Sequence, residues 1–224
     1  MYSVNMNFIA ATVDLTAQLP GTVEAYGLNY RSASAVVPSG NNNSQVRLRL
    51  LCYQREGAKL KAFTDWLPGT RALITGNIVF SEDTSQELDV IISTIEPNIP
   101  SEMYCNQVIL GNAFFGSDEI KERKNGQIAT KIGSTLDNSD TTTWLFLEAH
   151  ESRKVKLQDR IRKGRPICVQ GYLREYRKDD SDSAYRAIVA SDFTTRKDLA
   201  RNGRNTAPNS TAAGYGEIDP TPDY

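Results

Sequence analysis

Two stretches of the chain share one pattern and decide its fold: residues 47–80, RLRLLCYQREGAKLKAFTDWLPGTRALITGNIVF, and residues 142–175, TTWLFLEAHESRKVKLQDRIRKGRPICVQGYLRE. Each contains a β-rich run, a short amphipathic helix, a glycine turn and a second β-rich run that passes a glycine. A displacement of 95 residues aligns these pairs: Leu50 with Leu145, Lys61 with Lys156, Gly69 with Gly164, and Gly76 with Gly171. Identities are few, but the shared order and the aligned glycines indicate an internal duplication.

The correspondence continues outside these stretches with slightly larger displacements. Val90–Ile95 matches Ile188–Phe193, and the opening run Phe8–Val13 resembles Gln107–Asn112. Five strands with a helix between the third and the fourth is the order of an OB-fold barrel. We therefore predict an all-β protein with two tandem OB-fold barrels, over residues 1–97 and 103–198. The segment Ile95–Ser101, with its two prolines, is the predicted linker, and the polar residues 199–224 are predicted to be a disordered tail.

Alternation in the third strand of each copy predicts which side chains face the core. The expected inward residues are Val46, Leu48, Leu50 and Cys52 in the first copy and Leu145, Leu147 and Ala149 in the second. This leaves Trp144, Phe146, Glu148 and His150 on the outer face of the second copy. The helices are expected to bury Leu60, Phe63 and Leu67 in the first copy, within Ala58–Leu67, and Val155, Leu157 and Ile161 in the second.

The composition is that of a soluble, intracellular globular protein. Hydrophobic residues make up 39% and charged residues 24% of the 224 residues, and no apolar run is long enough for a membrane helix. Three scattered cysteines and a single histidine do not form a zinc motif, so we predict no metal site. The net charge is −3 over residues 1–102, +3 over 103–198 and −1 over 199–224, so a polyanion should prefer the second copy.

The outer face of the second copy carries aromatic side chains where alternation would ordinarily place polar ones. We predict that aromatic rings stack on bases and cations contact phosphates there, through Trp144, Phe146, Tyr172, Arg174 and Tyr176, with Lys121, Arg123, Lys124 and Lys131 on the preceding hairpin. The alternative is that the other copy or a second chain covers these rings.

The first copy offers fewer such residues. Its candidate DNA contacts are Arg49, Tyr53 and Arg55, while Leu51, Leu73 and Val79 on its outer face fit a covered surface at least as well. Binding of DNA and a role in assembly both stay open for this copy. An enzyme is not predicted, because no nucleophile turn or paired acidic motif lies near His150 in the sequence.

The second copy resembles the bacterial single-stranded DNA-binding proteins over residues 104–197. The resemblance rests on four segments together: NQVILGNAF (106–114), the basic hairpin EIKERKNGQIATKIGS (119–134), Thr143-Trp144, and IRKGRPICVQGYLRE (161–175). The first copy resembles the family only through its strand–helix–glycine–strand block and lacks the tryptophan.

The resemblance implies that Trp144 stacks on bases and that His150 lies near a place where the family often has an aromatic residue. It also implies a homodimer with four OB modules, without cofactor, that coats single-stranded DNA during replication, recombination and repair, in the cytoplasm with the nucleoid. Family members dock replication and repair proteins through an acidic, aromatic tip, which here corresponds to Asp219, Pro222, Asp223 and Tyr224. This tip has fewer acids and ends in Tyr rather than Phe, so docking stays open against an ordinary disordered end.

Two other functions fit the same sequence. One is an OB-fold accessory protein of replication or recombination that mainly binds proteins. The other is an RNA-binding OB protein, since stacking does not itself distinguish the two sugars.

Overall fold

The computed structural model describes residues 7–38, 45–55, 57–79, 87–123, 126–135, 142–177 and 184–195. The strands in these ranges are β1 (Asn7–Ala25), β2 (Leu28–Val37), β3 (Val46–Tyr53), β4 (Arg71–Val79), β5 (Leu88–Pro97), β6 (Asn106–Phe115), β7 (Lys121–Glu122), β8 (Ile128–Thr135), β9 (Thr142–Ala149), β10 (Pro166–Arg177) and β11 (Ala184–Thr195). The helices are α1 (Gly57–Asp65) and α2 (Lys154–Arg160), and a 3₁₀ helix, Glu151–Arg153, precedes α2.

Strand pairing closes two five-stranded barrels. The first barrel runs β1–β2–β3–β5–β4 and returns to β1, with β3 and β5 parallel and all other pairs antiparallel. The second barrel runs β6–β8–β9–β11–β10 and returns to β6, with β9 and β11 as its parallel pair. A closed five-stranded barrel with a helix after its third strand is OB-fold architecture. The predicted all-β fold class is confirmed.

Strand β1 joins the two barrels into one sheet. Ile9 lies opposite Gly76 of β4 on one edge of β1 and opposite Val108 of β6 on the other. The backbone N–H of Thr12 also donates to the carbonyl of Cys105, at 2.9 Å, just before β6 begins. The barrels are therefore connected by main-chain hydrogen bonds as well as by the chain itself.

The segment between the barrels lies later in the chain than the predicted linker: β5 continues to Pro97 and β6 begins at Asn106, so residues 98–105 form the connection. Arg71 of β4 holds this segment in place: its guanidinium pairs with Asp14 and donates to the backbone carbonyls of Ser101 and Met103. The connection is thus bound to the surface of the first barrel.

The predicted inward faces are confirmed. Each of these strand residues is buried: Val46, Leu48, Leu50, Cys52, Leu145, Leu147 and Ala149. None of the described helices is long and apolar enough to span a membrane.

Two helix residues were wrongly predicted to be buried. Leu67 is 64% exposed, because α1 ends at Asp65 and Trp66 turns inward in its place. Val155 is 77% exposed, because it lies two residues from the buried Leu157, and residues two apart point to opposite sides of a helix. The predictions for Phe63, Leu157 and Ile161 are confirmed, and Leu60 is partly buried against the core.

The two barrels share a side-chain hydrogen-bond arrangement. Asn7 of β1 bridges both backbone groups of Ile78, at 2.7 and 3.2 Å. Asn106 of β6 bridges both backbone groups of Leu173, at 3.0 Å each. The same side chain thus fastens the first strand of each barrel to the fourth.

Two glycines also occupy equivalent positions. A Cβ atom at Gly76 would lie 2.2 Å from the carbonyl oxygen of Ile91, and one at Gly171 would lie 2.2 Å from that of Val189. In both barrels the pairing register shifts beside this glycine, which marks a β-bulge in the facing strand. The predicted correspondence of Gly76 with Gly171 therefore has a structural cause.

The predicted alignment of the third strands is wrong by two residues. Leu50 pairs with Val90 in the first barrel, whereas Ile188, the counterpart of Val90, pairs with Leu147. Leu147 rather than Leu145 is thus equivalent to Leu50. Two residues are one repeat of the strand pleat, so the inward and outward assignments were unaffected.

Substitution of either close-approach glycine should destabilise its barrel. Gly76→Ala and Gly171→Ala place a methyl group against a carbonyl oxygen, and we expect each to lower the free energy of unfolding by about 1–3 kcal/mol. Urea denaturation measures this change. Gly57→Ala is the matched control, because a Cβ there meets nothing within 4 Å. Equal midpoints for all three variants would contradict the close approach.

Candidate nucleic-acid interface

One outward row of side chains crosses four strands of the second barrel. Lys131 of β8 lies opposite Phe146 of β9. Phe146 is paired on its other side with Ala187 of β11, and Ala187 is paired in turn with Arg174 of β10. The neighbouring rows place further rings on the same side. We call this surface the aromatic face, and it consists of Trp144, Phe146, Tyr172, Arg174, Tyr176 and Tyr185, all half-buried.

Trp144 lies at the β8 side of the aromatic face, against two glycines. A Cβ at Gly116 would come within 2.5 Å of the indole Cζ3, and one at Gly133 within 2.9 Å. The Phe114 ring meets the indole edge-on at 5.6 Å between centroids, and the Lys131 Nζ lies 4.5 Å from the ring centre. The tryptophan is therefore fixed by packing, with a cation on its π-face.

A second group of rings follows on the neighbouring strands. Phe146 stacks on Tyr185 at 4.4 Å between centroids and 30° between planes, and Tyr185 meets Tyr176 at 5.7 Å. The Arg123 guanidinium covers the Tyr185 ring at 4.0 Å. Three aromatic rings and an arginine thus form a continuous cluster beside Trp144.

Arg174 orders the two tyrosines on either side of it along β10. It donates one hydrogen bond to the hydroxyl of Tyr176, at 2.8 Å, and one to that of Tyr172, at 2.9 Å. Burial is the largest influence and works against the guanidinium charge. The hydrogen bond to Tyr176 and the electrostatic attraction of Tyr176, Tyr172 and Glu148 together outweigh burial and keep the pKa of Arg174 above its usual value. The arginine stays charged in the midst of the rings.

Glu148 is predicted to face outward on β9, and it does, but it is buried: its exposed fraction is 1%. Tyr176 donates a hydrogen bond to Oε2 of Glu148 at 3.1 Å, and Arg123 Nε lies 3.5 Å from Oε1. Burial, and after it the charge of Glu148, raises the pKa of Tyr185. Burial likewise raises the pKa of Tyr176. Both phenols therefore keep their protons at neutral pH.

The structure brings most of the predicted site residues together. Trp144, Phe146, Tyr172, Arg174 and Tyr176 form the aromatic face, and Arg123 lies on it. Lys121 is exposed on β7, and His150 is exposed directly after the end of β9. Lys124 and the tail residues Asp219, Pro222, Asp223 and Tyr224 lie outside the described residues.

Two aromatic residues at this site were not predicted from the sequence, Tyr185 and Phe114. Tyr185 lies opposite Tyr176 in the antiparallel pair β10–β11, and alternation places it on the same face as Ala187. That alternation was readable in the sequence. Phe114 could not be found this way, because it reaches Trp144 from the end of β6, next to Gly133.

In the first barrel the corresponding face is occupied by an ion pair. Arg49 binds Asp89 through two hydrogen bonds, at 2.6 and 2.7 Å, and Tyr26 of the β1–β2 turn donates to the same carboxylate at 2.6 Å. Burial, together with the hydrogen bond to Asp89, raises the pKa of Tyr26. Arg49 already has a partner, so it is a weaker candidate for phosphate than the sequence suggested.

The other predicted residues of the first barrel divide into exposed and covered ones. Tyr53 packs on Tyr30 at 5.9 Å between centroids, and Arg55 is exposed in the turn after β3. Leu51 and Val79 face outward yet are buried, as expected for a covered surface, while Leu73 is half-buried. The first barrel therefore has no counterpart of the aromatic face among its described residues.

No protein-family model matches the sequence, and no curated protein does. Solved structures match the fold. The wild-type single-stranded DNA-binding protein from Thermus aquaticus has a TM-score of 0.56 at 19% identity, over 94% of this chain and 97% of that one. A deletion variant of that protein has a TM-score of 0.57 at 19% identity, over 85% of this chain and 94% of that one. The chain thus shares the OB-fold architecture of a single-stranded DNA-binding protein.

The two tryptophans should respond differently to an anionic quencher. Trp66 is 1% exposed, whereas Trp144 is half-buried beside Lys131, which attracts anions. We expect iodide to quench the fluorescence of the Trp66→Phe variant, which retains Trp144, and to leave Trp144→Phe almost unchanged. Lys131→Gln should reduce the iodide effect. Equal quenching of both tryptophan variants would contradict this placement of Trp144.

Proposed function

We propose that this protein binds single-stranded DNA without sequence preference and without catalysis, through the aromatic face of the second barrel. The observation that carries the proposal is the array of half-buried rings interleaved with Arg123, Lys131 and Arg174. Rings stack on any base, at roughly 1–3 kcal/mol per base, and cations contact phosphates. Neither contact depends on the order of the bases.

Single strands suit this surface better than duplexes. Stacking on a protein ring needs a base that is free of its own stack, and a duplex does not present one. The fold similarity to the single-stranded DNA-binding protein of Thermus aquaticus supports the same ligand.

The proposal extends to the organisation of the chain. We propose two OB modules, residues 1–97 and 103–198, of which the second binds DNA and the first serves mainly in assembly. The covered outer face of the first barrel, with its Arg49–Asp89 ion pair, supports this division. A homodimer would present four modules, and residues 199–224 would dock replication and repair proteins through Asp219, Pro222, Asp223 and Tyr224. Protection of single strands during replication, recombination and repair follows as the proposed role.

A fluorescence titration tests the ligand. The Trp66→Phe variant, whose emission comes from Trp144, is titrated with poly(dT), poly(U) and a duplex at two salt concentrations. We expect poly(dT) to quench the emission and the affinity to fall with salt, because phosphate contacts release counterions. Stronger binding of poly(U) would favour an RNA-binding protein. No quenching and no gel shift at low salt would leave a protein-binding accessory role and refute the proposal.

Removal of the indole should weaken DNA binding without unfolding the barrel. Trp144→Ala is expected to cost about 1–3 kcal/mol, or about fivefold to 150-fold in Kd, because one stacking ring is lost. Fluorescence anisotropy of a labelled dT oligonucleotide measures the Kd, and circular dichroism reports the fold. Trp66→Phe is the control and should bind like the unmodified protein. Unchanged affinity of a folded Trp144→Ala variant would exclude Trp144 from the interface.

A further inference from the structure

A buried carboxylate lies within the aromatic face, where a surface for a polyanion should avoid one. Glu148 is 1% exposed, and burial of a charge is costly unless the charge is paired and hydrogen-bonded. Its negative charge also repels any phosphate that approaches the face. A residue with these two costs needs a compensating role.

The contacts of Glu148 show what that role is. Oε2 accepts the hydrogen bond of Tyr176, whose hydroxyl in turn accepts from Arg174. Oε1 lies 3.5 Å from Nε of Arg123, whose guanidinium lies on the ring of Tyr185. One carboxylate thus holds two arginines at the aromatic face, Arg123 directly and Arg174 through a tyrosine.

The two sides of this network differ in strength. The Arg123–Glu148 distance of 3.5 Å exceeds the roughly 2.7–2.9 Å of a charge-assisted hydrogen bond. The Arg123 side chain is also 38% exposed, while that of Glu148 is 1% exposed. The arginine can therefore turn its N–H groups toward a ligand in solvent, whereas the carboxylate cannot leave its site.

We propose that Glu148 is a positioning residue which orders Arg123 and Tyr176 in the free protein and competes with DNA phosphate for Arg123. This inference rests on the proposed function. When a strand binds, Arg123 shares its charge between Glu148 and a phosphate. The carboxylate thereby limits the affinity of the face for DNA while it keeps the rings in place for stacking.

Two substitutions separate the two roles of Glu148. Glu148→Gln removes the charge but keeps an oxygen that can accept from Tyr176. We expect it to bind poly(dT) about threefold to tenfold tighter at low salt, with a salt slope steeper by about 0.7, the value of one phosphate contact on a single strand. Glu148→Ala also removes the partner of Tyr176, so this variant should bind poly(dT) more weakly than Glu148→Gln does. Saturation with poly(dT) should quench its Trp144 emission no more than it quenches that of the unmodified protein.

The control for Glu148→Gln is the double variant with Arg123→Gln. It should return the salt slope to that of the unmodified protein, because the gain depends on Arg123. Circular dichroism and urea denaturation establish that each variant folds. A folded Glu148→Gln variant with unchanged or weaker affinity, or a steeper slope that persists in the double variant, would overturn the inference.

A second comparison applies if Glu148→Gln does not fold. Arg123→Gln removes the cation that pairs with Glu148, whereas Lys121→Gln removes a cation from the same hairpin without that effect. We expect Arg123→Gln to lose about tenfold more affinity. Equal losses would overturn the inference. Failure of the unmodified protein to bind poly(dT) would instead refute the proposed function, so the two failures are distinguishable.

Discussion

The close approach of two strands beside Gly171 is the constraint on which the candidate site depends. Only a residue without a side chain allows β10 to lie this near the carbonyl of Val189, and the pairing register shifts at this point. Beyond the shift, β10 and β11 remain in register for the rest of their length, which sets Tyr176 opposite Tyr185 and Arg174 opposite Ala187. The aromatic face is therefore a consequence of how the barrel closes.

The packed interior of a small closed barrel restricts where binding residues can lie. Apolar side chains must fill its inward positions, and Leu145, Leu147 and Ala149 do so in the second barrel. Binding residues are left to the outer face, and there the two barrels differ. The second barrel places rings around Arg174, whereas the first pairs Arg49 with a buried Asp89. The two barrels share the strand order but differ in the side chains of their outer faces.

Much of this could be predicted from the sequence, for physical reasons. Period-two alternation identified the inward faces of β3 and β9. These assignments stayed correct despite an alignment error of two residues, because the pleat of a strand repeats every two residues. The aligned glycines identified the turns after the helices, whereas the close approach of strands at Gly76 and Gly171 is a finding of the structure. Burial of Glu148 could not be predicted, because it depends on Arg123 and Tyr176, which come from other strands and a hairpin. The ion pair between Arg49 and Asp89 could not be predicted for the same reason.

Photocrosslinking tests most directly whether the second barrel holds DNA on its aromatic face. Oligo(dT) with 5-iodouracil at single positions is crosslinked to the unmodified protein, and the attached residues are mapped by mass spectrometry. We expect crosslinks at Trp144, Phe146 or Tyr172. Crosslinks confined to the first barrel, for example at Tyr53, would contradict this placement of the DNA.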